Sequence, residues 1–421
     1  MGAHRRGRAV AAQQARLASV GWRGGAARCL DAGGAQWAER GRQQARGCTR
    51  GCERQREHGA VTLELRNVST QVGGETHLSD ISLTLASGTL TILLGPTLSG
   101  KTSLMRLMAG LDKPTAGQVL VDGADVAGVP VQKRSVAMVY QQFINYSNLT
   151  VYENIASPMR VAGLRGKELD AAVQRAAEMM RLTPLLDRKP PELSGGQQQR
   201  TALARAIIKG ADLVLLDEPL ANLDYKLREE LREELPRLFL ETGAIFVYAT
   251  TEPTEALLLG GNTATLHEGR VTQFGATLDV YRRPVDRNTA NVFSDPPMNF
   301  LTITVSGSEV RAGDLILPAT GSLAGLADGR YAIGFRPNHL YLQRPDAAAI
   351  PVTANLVVTE ITGSESFVHL NFNGQRWIAL LHGIHHLESD SAVEVFLDPN
   401  RFYVFDEKDA LVAAPALAKA A

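Results

Sequence analysis

Apolar and polar side chains alternate along residues 61–68 and 81–85, as they do in half-buried strands, and Leu90–Leu94 is a short apolar run that ends in glycine. Residues 101–108 take a helical pattern and 136–140 return to a strand. Leu169, Ala172, Val173, Ala176 and Met180 repeat at helical spacing across 167–182. Residues 213–216 and 244–248 are apolar on both faces, as buried strands are. A long helix is predicted between them, with Leu223, Leu227, Leu231 and Leu235 on one stripe. Its charged run from Arg228 to Glu234 reads most simply as a solvated face. Strands alternating with helices predict an α/β domain with a largely parallel sheet, whose chemistry gathers at the carboxyl ends of the strands. Beyond about Phe300 the period changes. Residues 354–359, 367–372, 377–381 and 393–397 are short strands separated by turns, which predicts a small barrel of the oligonucleotide/oligosaccharide-binding kind. The expected domains are 61–297 and 298–421.

Residues 1–60 lack either period. They hold twelve Arg, no Lys and four acids, a balance of +8, which leaves 32 basic against 40 acidic side chains, or −8, in the rest of a chain of zero net charge. An acidic body argues against nucleic acid as its partner. The segment is expected to be a disordered basic extension, or upstream sequence translated from an incorrectly placed start, since valine at 61 can be an alternative bacterial start. Arg5-Arg6 has no apolar run behind it, so no secretory or twin-arginine signal is read. Cys29, Cys48 and Cys52 all lie here, and with His58 the last two make only a weak metal signal. The body has no cysteine, which suits a reducing cytoplasm. No stretch reaches the roughly 18 to 20 apolar residues needed to cross a bilayer, so a membrane role would be peripheral.

Gly95-Pro96-Thr97-Leu98-Ser99-Gly100-Lys101-Thr102 follows a predicted strand and enters a predicted helix, with Ser103 next in that helix. Glycines let the backbone curl so that successive N–H groups face phosphate oxygens. Lys101 would reach the β and γ phosphates of ATP, and the Thr102 hydroxyl would take Mg²⁺. Asp217, ending the apolar run 213–216, would hold Mg²⁺ directly or through water, and the adjacent Glu218 would orient and polarise the attacking water. Between them Ser194 reads as a helix N-cap before Gly195, Gly196 and Gln197, whose N–H groups suit an anion.

Leu193-Ser194-Gly195-Gly196-Gln197-Gln198-Gln199-Arg200 resembles the signature of ABC ATPases, and the chain resembles those of the maltose/polyol importer class over nearly all of 61–421. The resemblance implies an ABC-type P-loop NTPase domain followed by a small all-β, OB-like (TOBE-type) regulatory domain. It implies two ATPs sandwiched between two ATPase subunits, each lying between one subunit's phosphate loop and the other's signature. Tyr140-Gln141 resembles the Q-loop, with Gln141 on Mg²⁺ and the segment to Ile155 meeting a membrane partner. Ala221-Asn222-Leu223-Asp224 resembles the D-loop. Gly334-Phe335-Arg336-Pro337 and Glu360-Ile361-Thr362-Gly363-Ser364 resemble landmarks of the regulatory barrel. The implied partners are a second ATPase, two transmembrane permease subunits and, indirectly, a periplasmic solute-binding protein, at the cytoplasmic face of a bacterial inner membrane.

Two positions depart from the family pattern. Thr251, in Ala249-Thr250-Thr251-Glu252-Pro253, stands where a histidine usually meets the γ-phosphate, and no histidine occurs between His77 and His267. Val72 stands where an aromatic side chain usually stacks on adenine, and offers contact area without a π-face. Both losses fall on this subunit's own nucleotide while the signature is intact, the pattern expected of one half of an unlike pair, although a homodimer would also accommodate it. Thr250-Thr251-Glu252-Pro253 with Gly95-Pro96-Thr97-Leu98-Ser99 resembles one of the two different ATPases in proteobacterial glycerol importers, which suggests glycerol, glycerol 3-phosphate or a related polyol as the solute. The competing readings are a non-hydrolysing regulatory ABC subunit, favoured by Thr251 and opposed by Glu218, and a soluble ABC ATPase acting on nucleic acid, opposed by the single phosphate loop.

Overall fold

The computed structural model describes residues 61–221, 223–388 and 390–416. The readings of residues 1–60 (basic extension, false start, Cys48/Cys52/His58) lie outside the described residues.

In chain order the first elements are β1 (Thr62–Val72), β2 (Glu75–Ala86), β3 (Leu90–Leu94), α1 (Lys101–Ala109), β4 (Ala116–Val121), β5 (Ala124–Asp125) and β6 (Val136–Val139). Three helices follow, α2 (Val151–Val161), α3 (Gly166–Met179) and α4 (Gly195–Ile208). Then come β7 (Leu213–Asp217), α5 (Tyr225–Thr242), β8 (Ile245–Thr250), α6 (Pro253–Leu259), β9 (Asn262–His267), β10 (Arg270–Ala276), α7 (Thr277–Arg282) and α8 (Arg287–Val292).

The central sheet runs β10-β9-β3-β8-β7-β6, parallel from β9 to β6, with β10 antiparallel at one edge. Its strands read as unbroken apolar runs because both faces are covered. Ile92, Leu94, Val214, Leu216, Phe246 and Tyr248 enter one core with α4 and α5. Leu93, Leu215, Ile245 and Val247 enter the other with α1 and the antiparallel sheet β2-β1-β4-β5. The α/β expectation is met.

Three local expectations change. Helix α2 lies in a stretch for which no element was expected. Its start is a capping box, with Thr150 Oγ1 accepting from Glu153 N and Glu153 Oε2 from Thr150 N, and Pro158 masks its period. Helix α5 begins at Tyr225, so Leu223 is buried in the turn before it, while Leu231 and Leu235 face the core. The charged run of α5 is not merely a solvated face. The Arg232 side chain is only 10% exposed and bonds Glu229, Glu252 and Glu255, and Arg228 bonds Glu252. Tertiary packing folds the α6 turn onto α5, which no period along α5 alone reveals.

The remaining strands are β11 (Asn299–Ser306), β12 (Glu309–Ala312), β13 (Leu315–Leu317), β14 (Gly329–Phe335), β15 (Leu340–Tyr341), β16 (Ile350–Ile361), β17 (Glu365–Phe372), β18 (Gln375–His382), β19 (Ala392–Leu397), β20 (Tyr403–Phe405) and β21 (Leu411–Ala413). They form two antiparallel sheets, β13-β12-β11-β14-β20-β21 and β15-β19-β16-β17-β18, around one apolar core. Trp377 stacks on Phe372 and meets Phe335 edge-on at its centre. The edge of β18 is covered where Asn299 exchanges two side-chain bonds with the Ile378 backbone, at 2.8 and 2.7 Å, and Trp377 Nε1 donates to Phe300 O. This is the all-β, OB-like unit expected after the ATPase fold.

Arg336, in the Gly334-Phe335-Arg336-Pro337 run, joins this unit to the helices before it. It is buried, donates to Phe293 O at 2.7 Å and Tyr281 O at 3.1 Å, and lies 3.9 Å over the Tyr281 ring. A lysine keeps the charge but not the planar fork. Arg336→Lys is therefore expected to cost about 2–3 kcal/mol of stability, read as a lowered midpoint of chemical unfolding. An unchanged midpoint would mean that the two carbonyls find other donors.

Among the described residues no helix is long and apolar enough to cross a membrane.

Candidate functional site

The loop between β3 and α1 is shaped by its neighbours. A Cβ on Gly95 would lie 2.4 Å from Leu266 O, so only glycine lets the loop pass the end of β9. Gly100 turns the chain at φ 102 into α1, whose start has no side-chain cap and no acid in its first turn. Those N–H groups suit an anion. Leu98 takes φ 67, a conformation that costs a residue with a Cβ about 1–2 kcal/mol, and its side chain is 96% exposed. The buried Ser99 hydroxyl has no hydrogen-bond partner among the described residues.

Lys101 is buried under the loop, and its Nζ donates to Gly95 O at 2.8 Å and Pro96 O at 2.9 Å. Burial lowers the ammonium pKa, opposed by the charges of Glu218 and Asp217. Thr102 Oγ1 donates to Asp217 Oδ2 at 2.9 Å across 115 residues of sequence. Burial raises the Asp217 carboxyl, opposed by the Thr102 bond and Lys101. Glu218 is raised in the same way, with Lys101 opposing and Asp217, Glu255 and Glu252 adding to the rise. Gln141 Nε2 donates to Glu218 Oε2 at 2.8 Å. The structure thus gathers Lys101, Thr102, Gln141, Asp217 and Glu218 at the carboxyl ends of β3, β6 and β7.

Thr251 follows β8, which lies between β3 and β7. Thr250 pairs with Leu94 and Ala249 with Asp217, so the exposed Thr251 stands at the same sheet edge as the loop and Glu218. Thr250 turns away from it, its Oγ1 donating to Glu255 Oε2 at 2.7 Å. Val72 closes β1 opposite Glu75 and is 61% exposed.

The structure does not bring residues 194–197 to this loop. Their bonds stay within the first turn of α4, Gln197 N donating to Ser194 Oγ and Ser194 N to Gln197 Oε1, and Gly195 looks toward Phe143. Gly195 and Gly196 are thereby held at an exposed helix start. Asp224 is exposed before α5, its carbonyl accepting from Arg228 N. Sequence reasoning missed Arg228, Arg232, Glu252 and Glu255. The one signal was Arg228 and Arg232 four residues apart, on one helix face.

Comparisons with known proteins bear on this site. The family described as "ABC transporter" matches residues 78–221. The chain is 36% identical to the trehalose/maltose import ATP-binding protein MalK of Thermococcus litoralis, over 82% of this chain and 97% of that protein. It is 34% identical to the sn-glycerol-3-phosphate import ATP-binding protein UgpC of Paracoccus denitrificans, over 81% and 96%. It is 35% identical to the xylose/arabinose import ATP-binding protein XacK of Haloferax volcanii, over 82% and 93%.

Proposed function

We propose, for a chain that belongs to the ABC transporter family of import ATP-binding subunits and is a transport ATPase, that its motor drives uptake of a carbohydrate or polyol, with glycerol or glycerol 3-phosphate as the leading candidates. The ATPase domain spans 61–297 and the regulatory domain 298–421. The observation that carries the reading is the convergence of Lys101, Thr102, Asp217, Glu218 and Gln141 at one sheet edge.

The residues present fit a nucleotide and a divalent cation. The uncapped start of α1, the unpartnered Ser99 hydroxyl and the desolvated Lys101 suit phosphate, and Thr102 with Asp217 forms a hard-oxygen pair, with Gln141 beside it, that would hold Mg²⁺. Bound there, Mg²⁺ would supply positive charge against the negative charge of the phosphates. Lys101 exchanges its loop carbonyls for phosphate oxygens. Glu218 accepts a hydrogen bond from the attacking water and aligns it, and partial burial raises its pKa, which makes it a better proton acceptor. Thr251 offers a hydroxyl where an imidazole would reach further and carry charge. Val72 gives the base a contact without stacking.

Ser194, Gly195, Gly196, Gln197 and Asp224 serve the nucleotide of a facing ATPase, which we take to be a different chain. Two permease subunits dock on the segment following Gln141, a periplasmic solute-binding protein delivers the solute to them, and this subunit sits peripherally on the cytoplasmic face of the inner membrane. The solute touches none of its residues.

Purified protein, alone and reconstituted with its membrane partners, is expected to hydrolyse ATP in a Mg²⁺-dependent way, faster in the complex. Nucleotide binding without turnover in both settings would favour the regulatory-subunit reading that Thr251 suggests. Stimulation by nucleic acid instead of the membrane complex would overturn the transport reading.

A further inference from the structure

Glu218 occupies a backbone conformation that its surroundings must hold. Its φ of 46 lies in the left-handed region, sparsely populated by residues with a Cβ. Two backbone bonds anchor it: Glu218 N donates to Ala249 O at 3.0 Å, and Ala221 N donates to Glu218 O at 3.3 Å. Each anchor leads into a turn, and both turns meet at one guanidinium. Arg228 Nη2 donates to Ala221 O at 3.2 Å, and its Nη1 bonds Glu252 Oε1 at 3.1 Å. The second carboxylate oxygen of Glu252 accepts from Arg232 at 2.9 Å, and Arg232 also holds the buried Glu255 at 3.1 Å. Glu252 N donates to Thr250 Oγ1 at 3.0 Å, so the residue that Arg228 grips is the one after Thr251.

We propose that Arg228 is a positioning residue for hydrolysis, a fork that locks the turn of Glu218 to the turn of Thr251; this rests on the reading of Glu218 as the water-orienting carboxylate. The Arg228 side chain bonds Ala221 O and Glu252, and so acts through the two turns. Its side chain is 24% exposed and that of Glu252 42%, so the pair contributes little to stability as an ion pair. What the pair fixes is geometry. A planar fork spans a carbonyl and a carboxylate at once, which a lysine point charge does not.

The test is single-turnover ATP hydrolysis by the full-length chain, with nucleotide affinity and thermal unfolding measured alongside, for Arg228→Ala, Arg228→Lys, Glu252→Gln and the double variant Arg228→Ala/Glu252→Gln. Arg228→Ala and Glu252→Gln are expected to slow hydrolysis about 10- to 100-fold through loss of alignment, with nucleotide affinity within about twofold of the parent. Arg228→Lys should recover only part of the rate, and the double variant should be no slower than the worse single one. Wild-type rates in Glu252→Gln, or losses that multiply in the double variant, would overturn the proposal. Should Arg228→Ala fail to fold, Glu252→Gln, which replaces one partly exposed oxygen with an amide, still decides it. Glu218→Gln is the reference: if it hydrolyses normally, the reading of Glu218 itself falls, and if it is slow while Glu252→Gln is not, only the positioning role does.

Discussion

Lys101→Ala is expected to abolish tight ATP binding at this subunit's own loop. The ammonium is buried and held 2.8 and 2.9 Å from two loop carbonyls, and burial lowers its pKa against the opposing charges of Glu218 and Asp217. Phosphate oxygens offer it stronger, charge-assisted partners than those carbonyls. Two such bonds at about 1.5–3 kcal/mol each make the loss about 10² to 10⁴ in affinity. Calorimetric titration of the full chain with ATP measures it directly, and transport by the assembled complex should fall with it. An unchanged affinity would sink the assignment of this loop. Thermal unfolding measured alongside separates loss of phosphate contacts from loss of the fold.

Disabling the catalytic carboxylate should stop transport when the change is made in the facing ATPase and only reduce it when the change is Glu218→Gln here. On the proposed arrangement Ser194, Gly195, Gly196 and Gln197 would face the partner's nucleotide, while Thr251 would leave this subunit's own loop without an imidazole. Removing one preorganised transition-state donor costs about 10² to 10³ in rate. A site already slowed by that much contributes little turnover, so a second lesion there removes little more. Transport rates of reconstituted complexes carrying either change decide the matter. Equal damage would remove the case for divided labour, and a working complex with two copies of this chain and no second ATPase would remove it more directly.

How much of this was legible in the order of residues depended on how local each feature is. The α/β pattern, the glycine-rich loop entering a helix, the acid pair ending an apolar strand and the Ser194 cap are all written within a few consecutive residues, because strand period, loop conformation and helix capping are set by near neighbours in the chain. The later all-β unit was legible for the same reason. Helix α2 was not, since its capping box and an internal proline sit in a stretch without a sustained period.

Partnerships across the chain belonged to the tertiary structure. The strand order β3-β8-β7 is what lays Thr102 against Asp217 and Thr251 beside Glu218. The fold of the α6 turn onto α5 is what converts a charged run into the fork at Arg228, and the docking of the β unit is what buries Arg336 against Tyr281 and Phe293. By itself the sequence determined most of the elements, α2 excepted, and which side chains carry groups suited to phosphate. Only the packed molecule decided which of those side chains meet, because hydrogen bonds and ion pairs act over about 3 to 4 Å and nothing in the spacing of residues 115 or 24 positions apart says that they will come that close.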